Sequence, residues 1–359
     1  MERLTRLDGL RGGLAVYVML GHALPYVVLP PWVGVPFVHG EAAVDMFFAL
    51  SGLVVVNSLA RFEYHAGQFL AARARRLLPV YFAVLLFAVW LILVGSPVTQ
   101  MPWIAPHSLP ADFWALGVPA QFGAHLLAHI FLVQGLLPQG LLPWAFITLL
   151  GPAWSLSTEW QFYMVLAALG QRARHLVGLG MGLLGLGVLY RLVIGFLPDY
   201  WQFSRAFLPD ASIFFALGVM SAFWMRRGDA RPFWGAVLAV AVMGLVSGPP
   251  EKSLMPLAWA MVMYVQRFDF LPLLGWALDH QFAQFLGRIS YPLYLLNAPV
   301  QRGCAMLVVP FVHGDARLFG LVWLPLAVMV PVLAAWLLHA AVERPFMRAR
   351  VRRSPPARG

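Results

Sequence analysis

A chain of 359 residues that is 61% apolar and only 11% charged, with a mean hydropathy of +0.75, is too apolar for a water-soluble fold of its length. Its formal charge of +10 does not point to nucleic acid, because the arginines fall in short clusters between apolar runs. A single cysteine, Cys304, excludes an intrachain disulfide framework and a thiolate metal cluster, while 32 Gly, 28 Pro and 14 Trp suit helices that pack closely, kink and anchor at a membrane interface.

Apolar runs of spanning length lie near 12–30, 41–60, 77–95, 152–170, 175–196, 207–225, 232–249, 253–269, 287–310 and 318–342. With a cytoplasmic N-terminus, the basic groups near 3–11, 61–76, 172–174, 226–231, 267–288 and 344–358 all fall inside, and the opposite loops carry few positive charges. The expectation is an all-α membrane protein with about ten transmembrane helices and both termini cytoplasmic. The run 123–150 is apolar but broken by Pro138 and Pro143, and counting it as a span would carry Arg172 and Arg174 to the outer side; it reads as an interfacial or re-entrant segment. Residues 1–345 form one transmembrane domain, and 346–359 a flexible basic tail suited to anionic headgroups. The N-terminal apolar run lacks a small-residue cleavage pattern, so no cleavable signal is expected.

The chemistry-bearing residues follow in chain order. Asp8, Arg11 and His22 share the first run. Arg11 and His22 are eleven residues apart, almost three helical turns, so they face one side of a helix roughly 16 Å apart along its axis. Asp8 with Arg11 also fits an ordinary helix start at a basic boundary, whereas an imidazole inside an apolar span is functional by default. Asp45, within Val44-Asp45-Met46-Phe47-Phe48-Ala49-Leu50-Ser51-Gly52, sits near the outer end of the second run and needs a cavity or a partner; Ser51-Gly52 reads as helix packing. Arg73, Arg75 and Arg76 stand at the inner end of the third run. They serve equally as orientation signals and as bidentate phosphate ligands.

Ser155, Glu159 and Tyr163 are spaced i, i+4, i+8 and form one polar stripe on a helix. Tyr291, Tyr294 and Asn297 recur three apart, the tyrosines best read as packed rings with satisfied hydroxyls. His125 and His129 lack the glutamate of a zinc-protease motif, and the glycines of 178–187 lack a phosphate-loop pattern. A path lined by His, Asp, Glu and Arg would also suit a transporter or flippase of a polar or lipid-linked sugar. The arginine group at the inner end separates the readings, since a phosphate-bearing donor needs it and a sugar pathway does not.

Taken together, Arg6-Leu7-Asp8-Gly9-Leu10-Arg11-Gly12 with His22, the segment 44–52, the arginines leading to Tyr81, Trp154-Ser155-Leu156-Ser157-Thr158-Glu159 with Phe162-Tyr163, and Ser290-Tyr291 with Tyr294-Leu295 resemble, in order, the acyltransferase-3 family of multi-pass membrane O-acyltransferases. The resemblance implies about ten helices in a bacterial inner membrane and transfer of an acyl group, often acetyl, from a coenzyme A thioester to a hydroxyl. The acceptors it implies are sugars of polysaccharides or of glycosylated natural products. On this resemblance the first-helix pair falls on Arg11 and His22, the basic cluster on Arg73 and Arg76, and the acid on Glu159. Three departures stand out: Asn297 where many members have histidine, Ala43 where glycine is usual, and no fused hydrolase-like domain.

The resulting expectation is acyl-CoA as donor substrate, no metal, and phosphates held by Arg11, Arg73, Arg75 and Arg76. His22 is the expected general base, with Glu159 or Asp45 orienting it. Ser155, Tyr163 and Asn297 are the substrate-binding candidates that could stabilise an oxyanion.

Overall fold

The computed structural model describes residues 5–37, 39–247 and 253–348; the expected basic tail from 349 onward lies outside the described residues. In chain order the helices are α1 (Thr5–Ala23), α2 (Pro31–Gly34), α3 (Gly40–Arg61), α4 (Ala66–Val94), α5 (Leu109–Ala115), α6 (Phe122–Ile130), α7 (Ala153–Leu169), α8 (Leu176–Ile194), α9 (Leu208–Arg227), α10 (Arg231–Ser247), α11 (Leu254–Phe268), α12 (Pro272–Asp279), α13 (Gln281–Val312), α14 (Ala316–Leu338) and α15 (Arg344–Arg348). A π-helical turn, His339–Glu343, joins the last two, and no strand occurs among the described residues.

Six helical stretches among the described residues are long and apolar enough to cross a membrane, namely those carrying α3, α4, α8, α9, α13 and α14. Helices α1, α7, α10 and α11 fall on the other four apolar runs. Of these, α1 carries Arg6, Asp8 and Arg11, and the other three have 17, 17 and 15 residues. Helix α1 also starts well before the apolar run and stops at Ala23. The polar stretch through Arg11 continues the helix, and Pro25 turns the chain into a 3-10 turn over Leu24–Tyr26.

Backbone contact between glycines fixes the two central helix pairs. A Cβ on Gly12 would meet the Gly287 nitrogen at 2.6 Å, and one on Gly287 would strike Asp8. His22 lies against Asn297 ten residues further along each helix, so α1 and α13 run parallel and in register. Gly52 and Gly218 bring α3 and α9 together in the same way. Gly52 is therefore a packing residue, as its spacing suggests.

Helix α7 carries two polar faces with different partners. Ser157 accepts from Gly135 N and donates to Leu132 O, Thr158 donates to Ala206 O, and Gln161 bonds both Ala206 O and Leu208 N. These bonds satisfy the backbone of the two loops that cover one end of the bundle. The loops are also joined directly, Gln139 N donating to Gln202 O at 2.8 Å. Residues 131–152, within the expected interfacial or re-entrant segment, form turns after the short α6. The opposite face of α7 presents Ser155, Glu159 and Tyr163 to a cavity.

Candidate active site

The cavity, open on one side and spanning about 860 Å³ with that opening, lies between α1, α3, α4, α7 and α13. Its polar lining is Arg11, Ser51, Arg73, Arg76, Ser155, Glu159 and Tyr163, with Ser290, Tyr291 and Tyr294 from α13. Helical spacing explains the selection: Arg73 and Arg76, three apart, share the lining face of α4, and Arg75 turns away from it.

Glu159 organises the polar wall. Its Oε1 accepts from the Ser51 hydroxyl at 2.5 Å and from the Tyr163 hydroxyl. The Arg73 guanidinium lies over the Tyr163 ring, 5.3 Å from its centroid, and its Nε is buried without a hydrogen-bond partner. Both Arg11 and Arg73 feel the attraction of Glu159 and the repulsion of Arg76. None of the three arginines makes a salt bridge among the described residues. Three guanidiniums thus converge on one cavity with a single carboxylate in its wall, an arrangement that favours a polyanion.

Beyond Tyr294, α13 leads to the imidazole. The Ser155 and Tyr294 hydroxyls are 2.8 Å apart at that end of the cavity. Three residues further, Asn297 accepts from His22 Nδ1 at 2.6 Å and donates to Leu293 O and Tyr294 O. With both amide hydrogens of Asn297 engaged, its oxygen must face the ring, so Nδ1 carries the proton and Nε2 keeps its lone pair. His22 is part-buried and stands just outside the cavity wall.

This geometry combines five helices, three of them long and apolar enough to cross a membrane, with a guanidinium cluster and an oriented imidazole. Residues 4–340 match the family acyltransferase-3, described as an acyltransferase domain. The chain belongs to the acyltransferase-3 family. A relative described as acyltransferase MdmB, from Streptomyces mycarofaciens, is 27% identical over 394 aligned positions, covering 99% of this chain and 94% of its own. Another, described as protein 2 in the picA locus of Rhizobium radiobacter, is 32% identical over 185 residues, covering 48% of this chain and 85% of its own. No solved structure matches the chain. It is a multi-pass membrane acyltransferase, acting on an acyl donor and an acceptor.

Other residues of this acyltransferase fall differently from their sequence reading. Glu159 and Asp45 were the expected partners of His22, yet the imidazole bonds Asn297, because α1 packs chiefly along α13. Asp45 instead meets Arg205 at 3.3 Å; the same guanidinium pairs with Glu41 at 2.6 Å and lies 4.5 Å over the Trp154 ring. Ser51, read as packing, hydrogen-bonds Glu159. The tyrosine hydroxyls are satisfied as expected, Tyr291 donating to Leu77 O at 2.8 Å. His125 bonds Thr148 at 2.8 Å, and His129 Nδ1 bonds the His125 carbonyl.

Glu343 had no sequence assignment. It is 3% exposed, accepts from His339 Nδ1 at 2.7 Å, and acts electrostatically on Arg11 and Tyr291 from the π-helical turn. Its signal was an i, i+4 His–Glu pair at the end of the apolar run 318–342.

Proposed function

We propose that the chain is a membrane O-acyltransferase of a bacterial inner membrane. It moves an acyl group, acetyl being the expected one, from acyl-coenzyme A to a hydroxyl of a carbohydrate or glycosylated acceptor. The observation that carries the reading is the convergence of Arg11, Arg73 and Arg76 on one cavity whose far end adjoins the His22–Asn297 pair.

In this reading the basic end of the bundle faces the cytoplasm. The guanidiniums take the phosphates of the donor, with Arg73 held over the ring of Tyr163, whose hydroxyl donates to Glu159. The pantetheine arm extends towards Tyr294. His22 Nε2 accepts the proton of the acceptor hydroxyl as its oxygen attacks the thioester carbonyl carbon. The Ser155–Tyr294 hydroxyl pair supplies donors for the oxyanion. Collapse breaks the C–S bond, and the imidazolium returns the proton to the departing thiolate. Asn297 acts by positioning the ring, and Asp45 by holding Arg205 beside Trp154.

The test is the melting temperature of the purified full chain in lipid nanodiscs with coenzyme A. The ligand raises the melting temperature of the wild type, and the Arg73→Ala/Arg76→Ala double variant loses most of that shift. A wild type that coenzyme A leaves unmoved would overturn the donor assignment.

A further inference from the structure

A second cavity, open to its surroundings and spanning about 430 Å³ with that opening, lies further along α13, beyond Asn297. The two cavities meet along two elements. On α13, Tyr294 and Leu295 line the first and Ala298 and Pro299 the second; at the start of α7, Ser155 lines the first and Pro152 the second. Three residues separate them in each case, roughly 4.5 Å of helix rise on α13. Asn297, with the imidazole bonded to it, falls in that interval.

Most side chains lining the second cavity are apolar, with Phe113, Trp114 and Leu149 among its walls; Thr148 is the one polar uncharged side chain and Arg302 the one charged group. Arg302 is 8% exposed. Two of its nitrogens are held by backbone carbonyls at helix C-terminal ends, Nη2 by Gly95 O at 2.8 Å and Nη1 by Leu116 O at 3.5 Å. Its Nε is buried without a partner, and no carboxylate pairs with it among the described residues. A buried cation balanced only by carbonyl dipoles retains its attraction for an anion. A bare sugar would need many polar wall groups, and this cavity offers two; it fits an apolar ligand with one anionic head.

We infer that this second cavity is the acceptor site. Its ligand is amphipathic: an apolar body, a phosphate or carboxylate that pairs with Arg302, and a hydroxyl that reaches His22 from the side opposite the donor. The inference rests on the acyltransferase reading of the first cavity and extends it to the acceptor's chemical class.

The test uses the full chain in phosphatidylcholine nanodiscs with octyl phosphate, octanoate and the neutral octyl glucoside as probes. At least one anionic probe raises the melting temperature by a few degrees more than octyl glucoside. Which anion does so separates a phosphate-bearing acceptor from a carboxylate-bearing one. The shift is lost in Arg302→Gln and also in Ala298→Phe, which fills the cavity and leaves the guanidinium in place. It persists in Arg73→Ala/Arg76→Ala, and the effective probe slows acetyl transfer in membrane vesicles carrying the chain. The inference is overturned if neither anion exceeds octyl glucoside, if both cavity variants keep the shift, or if the double arginine variant loses it. It is also overturned if the bound probe leaves transfer unchanged, which would make the cavity a lipid seat. Failure of the donor reading is a separate result, seen as a missing coenzyme A shift in the wild type.

Discussion

Two groups of arginines stand in walls of the same bundle and are answered differently. Arg205 is paired with two carboxylates, Glu41 and Asp45, and lies over the face of Trp154, although its Nε is buried without a partner. Arg76 repels both Arg11 and Arg73. Asp8, Glu159 and Glu343 attract Arg11, and Glu159 attracts Arg73, without a salt bridge forming among the described residues. The Arg73 Nε, like that of Arg205, has no partner. The first group is a clasp between α3 and the chain entering α9. The second is an unfilled demand for negative charge. Number of charges does not distinguish them; the balance of partners within hydrogen-bonding distance does.

Substitutions can break this contrast. Outside the imidazole itself, the largest expected effect is on the unmatched group. A charge-assisted hydrogen bond is worth about 1.5–3 kcal/mol, so Arg73→Ala or Arg76→Ala raises the donor KM about ten- to a hundredfold, with a smaller change in kcat. Steady-state kinetics with varied acyl-CoA measure this, and an unchanged donor KM would place the thioester elsewhere. Asn297→Ala is expected to lower kcat about tenfold, by releasing the ring from its tautomer and orientation, and to leave the donor KM unmoved. A rise in donor KM of equal size would show that Asn297 belongs to the donor cavity instead.

The matched group behaves in the reverse manner. Arg205→Ala costs about 1–2 kcal/mol of stability, between an exposed pair and a buried one, because Glu41 is largely exposed and Asp45 is not. Thermal unfolding reads the loss, while the donor KM stays at its wild-type value. The smallest effect belongs to the solvated pair at the start of α10. The Arg231 side chain and backbone hold the Asp229 carboxyl below its ordinary value. A carboxyl lowered in the folded state contributes fully above its ordinary range and loses that contribution as pH falls through the lowered value. This carboxyl faces water, so Asp229→Asn leaves the melting temperature at neutral pH within measurement error.

Much of the first cavity was legible because its residues are periodic within single helices. The Ser155, Glu159, Tyr163 stripe lines it as the spacing predicts, and so do Arg73 and Arg76, with Arg75 excluded by the same helical geometry. The fold was legible as a set of apolar runs, each of which carries a helix. Pairing between helices was not. The His22–Asn297 bond spans 275 positions, and its register is set by the glycine contacts of α1 with α13 and by Gln284 and Gln301, which donate to Thr5 O and Met19 O of α1. Arg205 and Arg302 had no sequence assignment, and their partners come from distant elements. Glu343 depends on a π-helical turn that rotates it inward, which an ideal helical repeat does not foresee.

The account turns on His22 as the base between a donor from one end and an acceptor from the other. The most direct measurement is acyl transfer by His22→Ala in nanodiscs, taken beside its melting temperature with and without coenzyme A. The account predicts a coenzyme A shift equal to that of the wild type and a transfer rate lowered at least a hundredfold, on the order of a lost general base. Transfer at near the wild-type rate by a variant that binds coenzyme A normally would contradict it.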